Sequence, residues 1–219
     1  NNKSVKLPPK LFSHNDQQSV WQSSLPEGAT SGWGGRMADL LNSLNTNPSV
    51  SMSMSLDSFN QFQVADTLNQ LAIQRSSGVS TSKGGPIAWS GASGNTTATT
   101  RFQAQKDLFA ATQSNLFASA FGSVTSDAIG DSDLLTTALA ASPTLATTFP
   151  NTTLANQLKT IAYLISISSS LNLKRQVFFA RLGGWDTHQD NFAILKNKNL
   201  PTLDAGLSGL FTALAAKGL

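Results

Sequence analysis

Cysteine is absent from all 219 residues. That excludes disulfides, thiolate metal sites and a cysteine nucleophile, and leaves the compartment open. Charge is scarce. Asp, Glu, Lys and Arg make up 12% of the chain, about half the usual share. Glu27 is the only glutamate, and no convincing carboxylate pair of the glycosidase kind can be picked out. The net charge is +3, with Lys and Arg scattered and no basic run, so nucleic acid is not an expected partner. No apolar run approaches the roughly 20 residues a membrane span needs. No leader pattern opens at Asn1, so export would call for one upstream of it. H-E-x-x-H, P-loop, G-x-G-x-x-G and G-x-S-x-G patterns are all missing. GWGG at 32–35 has the wrong spacing for a phosphate cradle and reads as a turn.

Ser, Thr, Asn and Gln take over the surface work that charge does elsewhere, a habit of secreted and cell-surface bacterial proteins. The hydrophobic share is 40%, and the length suffices for one sizeable domain with a core. LFSHNDQQSVWQSS (11–24) predicts a short helix with His14 and Trp21 two turns apart on one face. GWGGRMADLLNSL (32–44) predicts a glycine turn, then a helix capped by Thr30 or Ser31. Met37, Leu40, Leu41 and Leu44 would form its apolar stripe. PSVSMSMSLDSF (48–59) alternates apolar residues with Ser, the mark of a half-buried strand. DTLNQLAIQR (66–75) predicts a short helix. The Gly/Ser/Thr-rich stretch 78–100 predicts a long surface loop, with a short strand at PIAW.

Further on, 101–122 predicts a helix with Phe102, Leu108, Phe109, Leu116 and Phe117 on its apolar face, and 131–141 a second one. Residues 151–172 carry the best helical period, Leu154, Leu158, Ile161 and Ile165, behind a cap at Asn151 or Thr152. RQVFFARLGG (175–184) predicts an interior strand of a parallel sheet. A last helix begins near Pro201, with Leu203, Leu207, Leu210 and Leu214, and Gly218 caps it. Trp21, Trp33, Trp89 and Trp185 are expected as core or pocket walls. Helix, strand and helix in series predict an α/β layered fold. Such a fold would want another strand after Gly218, so the sequence is expected to be a segment of something longer.

Chemistry concentrates in GGWDTHQD, where Asp186 and His188 follow the strand 175–184. Ligands of open α/β sheets gather beyond the carboxyl ends of the strands. A carboxylate and an imidazole two residues apart can reach one divalent cation, such as zinc, manganese or iron. Equally, Asp186 can orient His188 as a general base. The plain alternative is a helix start, with Asp186 or Thr187 as N-cap and His188 in the first turn. His14 is the only other histidine, and by itself reads as a surface residue.

LFSHNDQQSVWQ, GWGGRMADLL, NQLKTIAYLI and RQVFFARLGGWDTHQDN occur here in an order that resembles a bacterial exported family. It is the domain-of-unknown-function family 1501, distantly related to alkaline phosphatases and sulfatases. The resemblance runs from about Leu7 to Gly218, loosely over 78–145. It implies a partial alkaline-phosphatase-like fold, with a mostly parallel sheet and flanking helices, helix-rich in this segment. It implies a periplasmic or extracellular location and a metal-dependent, hydrolase-like site. By motif match, Asp186 and His188 would be metal ligands and His14 a catalytic residue, with Ser13 and Asn15 beside it. The family's upstream Gly-Gly-Asn-Asp-like and downstream Gly-Thr-Asp-His-like motifs do not occur here, so the resemblance implies that 1–219 is a single domain segment, incomplete at both ends. The remaining ligands and any nucleophile are therefore expected from the rest of a precursor or from a partner chain. Two readings stand: a segment of a metal-dependent phosphatase- or sulfatase-like hydrolase, or a non-catalytic extracellular surface or assembly protein that keeps the fold. A carbohydrate-binding module built on the tryptophans is a weaker third.

Overall fold

The computed structural model describes residues 10–25, 29–73, 96–111, 113–142 and 144–219. Helices dominate. They are α1 (His14–Ser23), α2 (Trp33–Leu41), α3 (Thr96–Ala110), α4 (Leu116–Ala141), α5 (Thr153–Ser166), α6 (Asn191–Ile194) and α7 (Leu200–Ala215). Among the described residues, three short strands, β1 (Ser53–Ser55), β2 (Leu71–Ala72) and β3 (Val177–Phe179), form a parallel sheet in the order β2-β1-β3. The fold is thus mixed α/β, helix-rich, around a small parallel sheet.

β1 occupies the middle of that sheet, with Met54 opposite Leu71 on one side and Phe178 on the other. The Ser/apolar alternation marks a strand, as expected, but not a half-buried one. Ser53 and Ser55 are as fully buried as Met52 and Met54, because a central strand is covered on both faces. The Ser55 hydroxyl accepts from the Asp57 N–H and from Asn60 Nδ2, and donates to the Ser58 carbonyl. Gln63, also fully buried, donates to the carbonyls of Met54 (3.0 Å) and Val177 (3.2 Å) and so ties β1 to β3. Asn45 ties the segment after α2 to the residues just ahead of β3. Its Oδ1 accepts from the N–H groups of Lys174 (2.7 Å) and Arg175 (2.9 Å), and its Nδ2 donates to the Arg175 carbonyl (3.2 Å).

The core gathers Met52, Met54, Ile73, Leu135, Leu164, Leu171 and Val177 around α5. Thr152 caps α5 by accepting from the Ala155 N–H. Leu154, Leu158 and Ile161 are buried, as their period predicts. α7 packs along α5 and ends at Gly218, whose φ of 72° admits the left-handed turn. Leu219 N–H reaches the Leu214 carbonyl and Gly218 N–H that of Ala215, which closes the helix. The leucine stripe was only part of its inward face: Gly206, Gly209 and Ala213 are the buried residues, and Leu207 is exposed.

Several local expectations were overturned by tertiary contacts. Where a helix was expected over 66–75, residues 66–70 are a turn leading into β2, and residues 74–75 lie outside the described residues. The Asp39 carboxylate accepts from the N–H groups of Asp66 (2.8 Å), Thr67 (3.3 Å) and Leu68 (3.1 Å), and those donors hold the segment out of a helical path. α2 is capped by Gly32, not by Thr30 or Ser31, and Ser31 instead accepts from Arg36. Its inward face is Gly34, Gly35 and Ala38, while Met37, Leu40 and Leu44 are exposed. The reason is distance: a Cβ on Gly35 would stand 2.0 Å from the Val64 carbonyl oxygen, so only a bare backbone can approach this closely.

The helix expected over 101–122 is two helices, because Asn115 turns the chain and caps α4 by accepting from the N–H groups of Phe117 and Ala118. The one expected over 131–141 is the end of that same α4. Leu108, Leu116 and Phe117 are exposed rather than packed, and the Phe102 side chain lies outside the described residues. Of the loop expected over 78–100, residues 96–100 belong to α3, and the rest, with Trp89 and the PIAW strand, lies outside the described residues. Trp21, Trp33 and Trp185 are exposed, so the core half of that expectation fails, while Trp33 sets its ring edge-on against Phe62 at 4.5 Å.

Candidate functional site

The site is assembled by the end of β3. Phe179 O accepts from the Leu56 N–H (2.8 Å), the last rung beside β1. Beyond it, the Arg181 N–H donates to the Gln157 side chain on α5 (2.8 Å), and the Arg181 guanidinium pairs with Asp57 at 2.5 Å. The Trp185 indole N–H donates to the Leu182 carbonyl (2.8 Å). Gly184 turns the chain with φ of 83°, a conformation a side chain disfavours. This delivers Asp186 and His188 onto the surface at the carboxyl end of the sheet.

His188 Nε2 lies 3.0 Å from Asp186 Oδ2. His14 Nε2 lies 3.7 Å from the same oxygen. All three residues singled out from the sequence therefore meet on one carboxylate oxygen, although His14 is in the first turn of α1. Ser13 fixes that turn, its hydroxyl accepting from the Asp16 N–H, and Asn15 is exposed beside it. The cluster is open: the side chains of His14, Asp186 and His188 are 73, 58 and 80% exposed. The helix-start alternative is not what occurs. α6 begins only at Asn191, after Asp190, with no side-chain cap. Asp186 and His188 are instead hydrogen-bonded to each other.

Two imidazoles and a carboxylate are a donor set that zinc and its neighbours accept. Ligands about 2.1 Å from a tetrahedral zinc stand about 3.4 Å apart, and the separations of 3.0 and 3.7 Å straddle that value. The arrangement as it stands is nevertheless a hydrogen-bonded pair with a second imidazole alongside. Among the described residues, no group of three or more His, Asp or Glu side chains is disposed to hold a metal ion. What the cluster does offer directly is acid–base chemistry. In the tautomer that donates from Nε2 to Asp186, His188 keeps its Nδ1 lone pair free to accept.

Two side chains that hold the turn around Asp186 carry no signal in the sequence. Asn191 accepts from the Thr187 hydroxyl at 2.5 Å, and Asn199 donates to the Gly184 carbonyl at 2.6 Å. The dipeptide Leu200-Pro201 after Asn199 reads as the approach to a helix start, which hid the fact that Asn199 is already helical and buried. No helix among the described residues is long and apolar enough to cross a membrane. No protein-family model, curated protein or solved structure matches this chain.

Proposed function

We propose that the chain is a segment of an exported hydrolase-like protein of the phosphatase and sulfatase type, with His14, Asp186 and His188 at its chemical centre. The observation that carries this reading is the meeting of both histidines of the chain on Asp186 Oδ2 at the carboxyl end of a parallel sheet. Chance placement of two such rare residues on one carboxylate has no structural need behind it, since exposed ion pairs contribute little to stability.

In this reading Asp186 orients His188, whose free Nδ1 takes a proton from water or an alcohol. His14 supplies a second imidazole, a ligand or an oxyanion contact whose ring N–H can donate to an oxygen gaining charge in the reaction. A divalent cation, when bound, would polarise the ester oxygen. That form is an alternative to the hydrogen-bonded pair: Asp186 and His188, the ligands proposed for the cation, would turn outward from each other to take it, and His188 would then be a ligand and not the base. The periplasm or the cell exterior is the proposed location. The remainder of a precursor or a partner chain is proposed to complete the site, and the alkaline-phosphatase-like layering of the whole fold is part of the same proposal.

The test pairs metal analysis with turnover of p-nitrophenyl phosphate and p-nitrophenyl sulfate, on the protein and on His188→Ala. Zinc or manganese bound in the first and lost in the second supports the ligand assignment; equal content in both ends it. A second reading, a non-catalytic surface or assembly protein, draws on the openness of the cluster and on the exposed Phe12 and Trp21 nearby in sequence. Absence of both metal and turnover would favour it.

A further inference from the structure

We propose that Asn199 and Asn191 are positioning residues, a pair of amides that clamp the 184–187 segment on both sides of Asp186 and so hold the cluster in register with His14. The inference rests on the functional reading above for its purpose, but on separate geometry for its substance. α6, the five residues Leu195–Asn199 and α7 follow one another without a break, and the middle piece is a π-helical turn. In a regular α-helix, residues eight apart point about 80° away from each other, whereas residues seven apart point within about 20°. A π turn adds one residue to the helix without adding a turn. Asn191 and Asn199 are eight apart in sequence, yet the inserted residue gives them the angular relation of a seven-residue spacing. Both amides therefore reach back to the same short segment.

The contacts agree with that phase. Asn199 is 2% exposed, an unusual place for an amide, and its Nδ2 donates to the Gly184 carbonyl at 2.6 Å. Asn191, at the exposed end, accepts from the Thr187 hydroxyl. Asp186 lies between the two anchored residues. Gly184, with φ of 83°, is the pivot that would otherwise swing most freely. A π turn departs from regular helix geometry and is frequent at functional sites. Here it brings two amides onto the turn that carries the carboxylate.

The test reads order at His188 rather than activity, so a failure of the hydrolase reading leaves it intact. The chain holds two histidines, which makes their ring 13C–1H relaxation in a histidine-labelled sample simple to resolve. We expect the His188 ring to be ordered in the parent protein. In Asn199→Ala it should become mobile on the picosecond–nanosecond scale, while far-UV circular dichroism is kept. Asn191→Ala, a change at an exposed residue that leaves folding alone, should loosen it to a smaller degree. If Asn199→Ala does not fold, Asn191→Ala decides by itself. An equally ordered His188 ring in whichever of these variants folds overturns the proposal, because a merely structural amide would leave the ring as it was. Restored order in Asn199→Gln would support it further.

Discussion

His14 in the first turn of α1 and Asp186 beyond β3 face each other across 3.7 Å, His14 Nε2 against Asp186 Oδ2. Nothing between them in sequence foretells the contact. It joins the start of the described chain to the turn that follows its last strand, and it does so at the surface.

That exposure sets the first prediction. Asp186→Asn should shift the Tm by no more than about 3 °C, because an exposed pair contributes under about 1 kcal/mol. The same substitution should abolish whatever metal binding or ester turnover the protein has. A large fall in Tm without a functional change would turn the cluster into a structural feature.

The close approach of α2 to the turn at 61–65 sets the second. Gly35→Ala places a Cβ against the Val64 carbonyl and should lower the Tm by roughly 10 °C, the effect of about 3 kcal/mol of overpacking. Gly130→Ala, within α4, meets nothing within 4 Å. It should raise the Tm by about 2–4 °C, since alanine gains about 1 kcal/mol over glycine in an exposed helix interior. Thermal melts of the two variants side by side check both signs.

Asn45 makes the third. It is buried, and its amide satisfies backbone groups of Lys174 and Arg175. Asn45→Ala leaves those groups without partners in the interior and should cost about 2–4 kcal/mol in urea unfolding. An unchanged denaturation midpoint would show that water replaces the amide.

Acid titration gives the fourth, from two aspartates with opposite signs. Partial burial alone would raise the Asp39 carboxyl. The Thr67 hydroxyl and the N–H groups of Asp66, Leu68 and Thr67 outweigh it and hold the carboxyl below its ordinary value. A depressed folded pKa means stability that is present above the unfolded pKa and is lost as pH falls through the folded one. Asp39→Asn should therefore flatten the loss of stability below about pH 4, the ordinary aspartate range. Asp131 is raised, by burial first and by the neighbouring charge of Asp127 second. Its contribution is full below the unfolded pKa and disappears as pH rises through the folded one. Asp131→Asn should accordingly stabilise the protein at neutral pH and lose that advantage below about pH 4. Melts of both variants at pH 3.5 and pH 7 measure the two slopes.

How much was legible beforehand depended on whether the cause was local. The 3.6-residue period of Leu154, Leu158 and Ile161 and the cap at Thr152 announce α5, because helix burial follows one stripe of one segment. The apolar run before Gly183 announces β3, and the alternation at 50–56 announces β1. The turn into β2 was illegible, since it is imposed by Asp39 from another element. The exposure of Leu40 and Leu116 was illegible too, as a stripe says which face is apolar and not whether a neighbour covers it. Of the candidate site, Asp186 and His188 could be read from their place after a strand. Asn199 could not, because a π turn leaves no mark in the hydrophobic period.

By itself, then, the sequence determined which segments are helical or extended wherever periodicity and capping residues lie within a few positions of each other. It also determined that two imidazoles and a nearby carboxylate were the scarce reactive groups. The tertiary structure alone decided that β1 is buried on both faces, that α2 packs by its glycines, and that His14 comes to Asp186. Those outcomes depend on distances between atoms far apart along the chain, and such distances are set by packing, which no local pattern encodes.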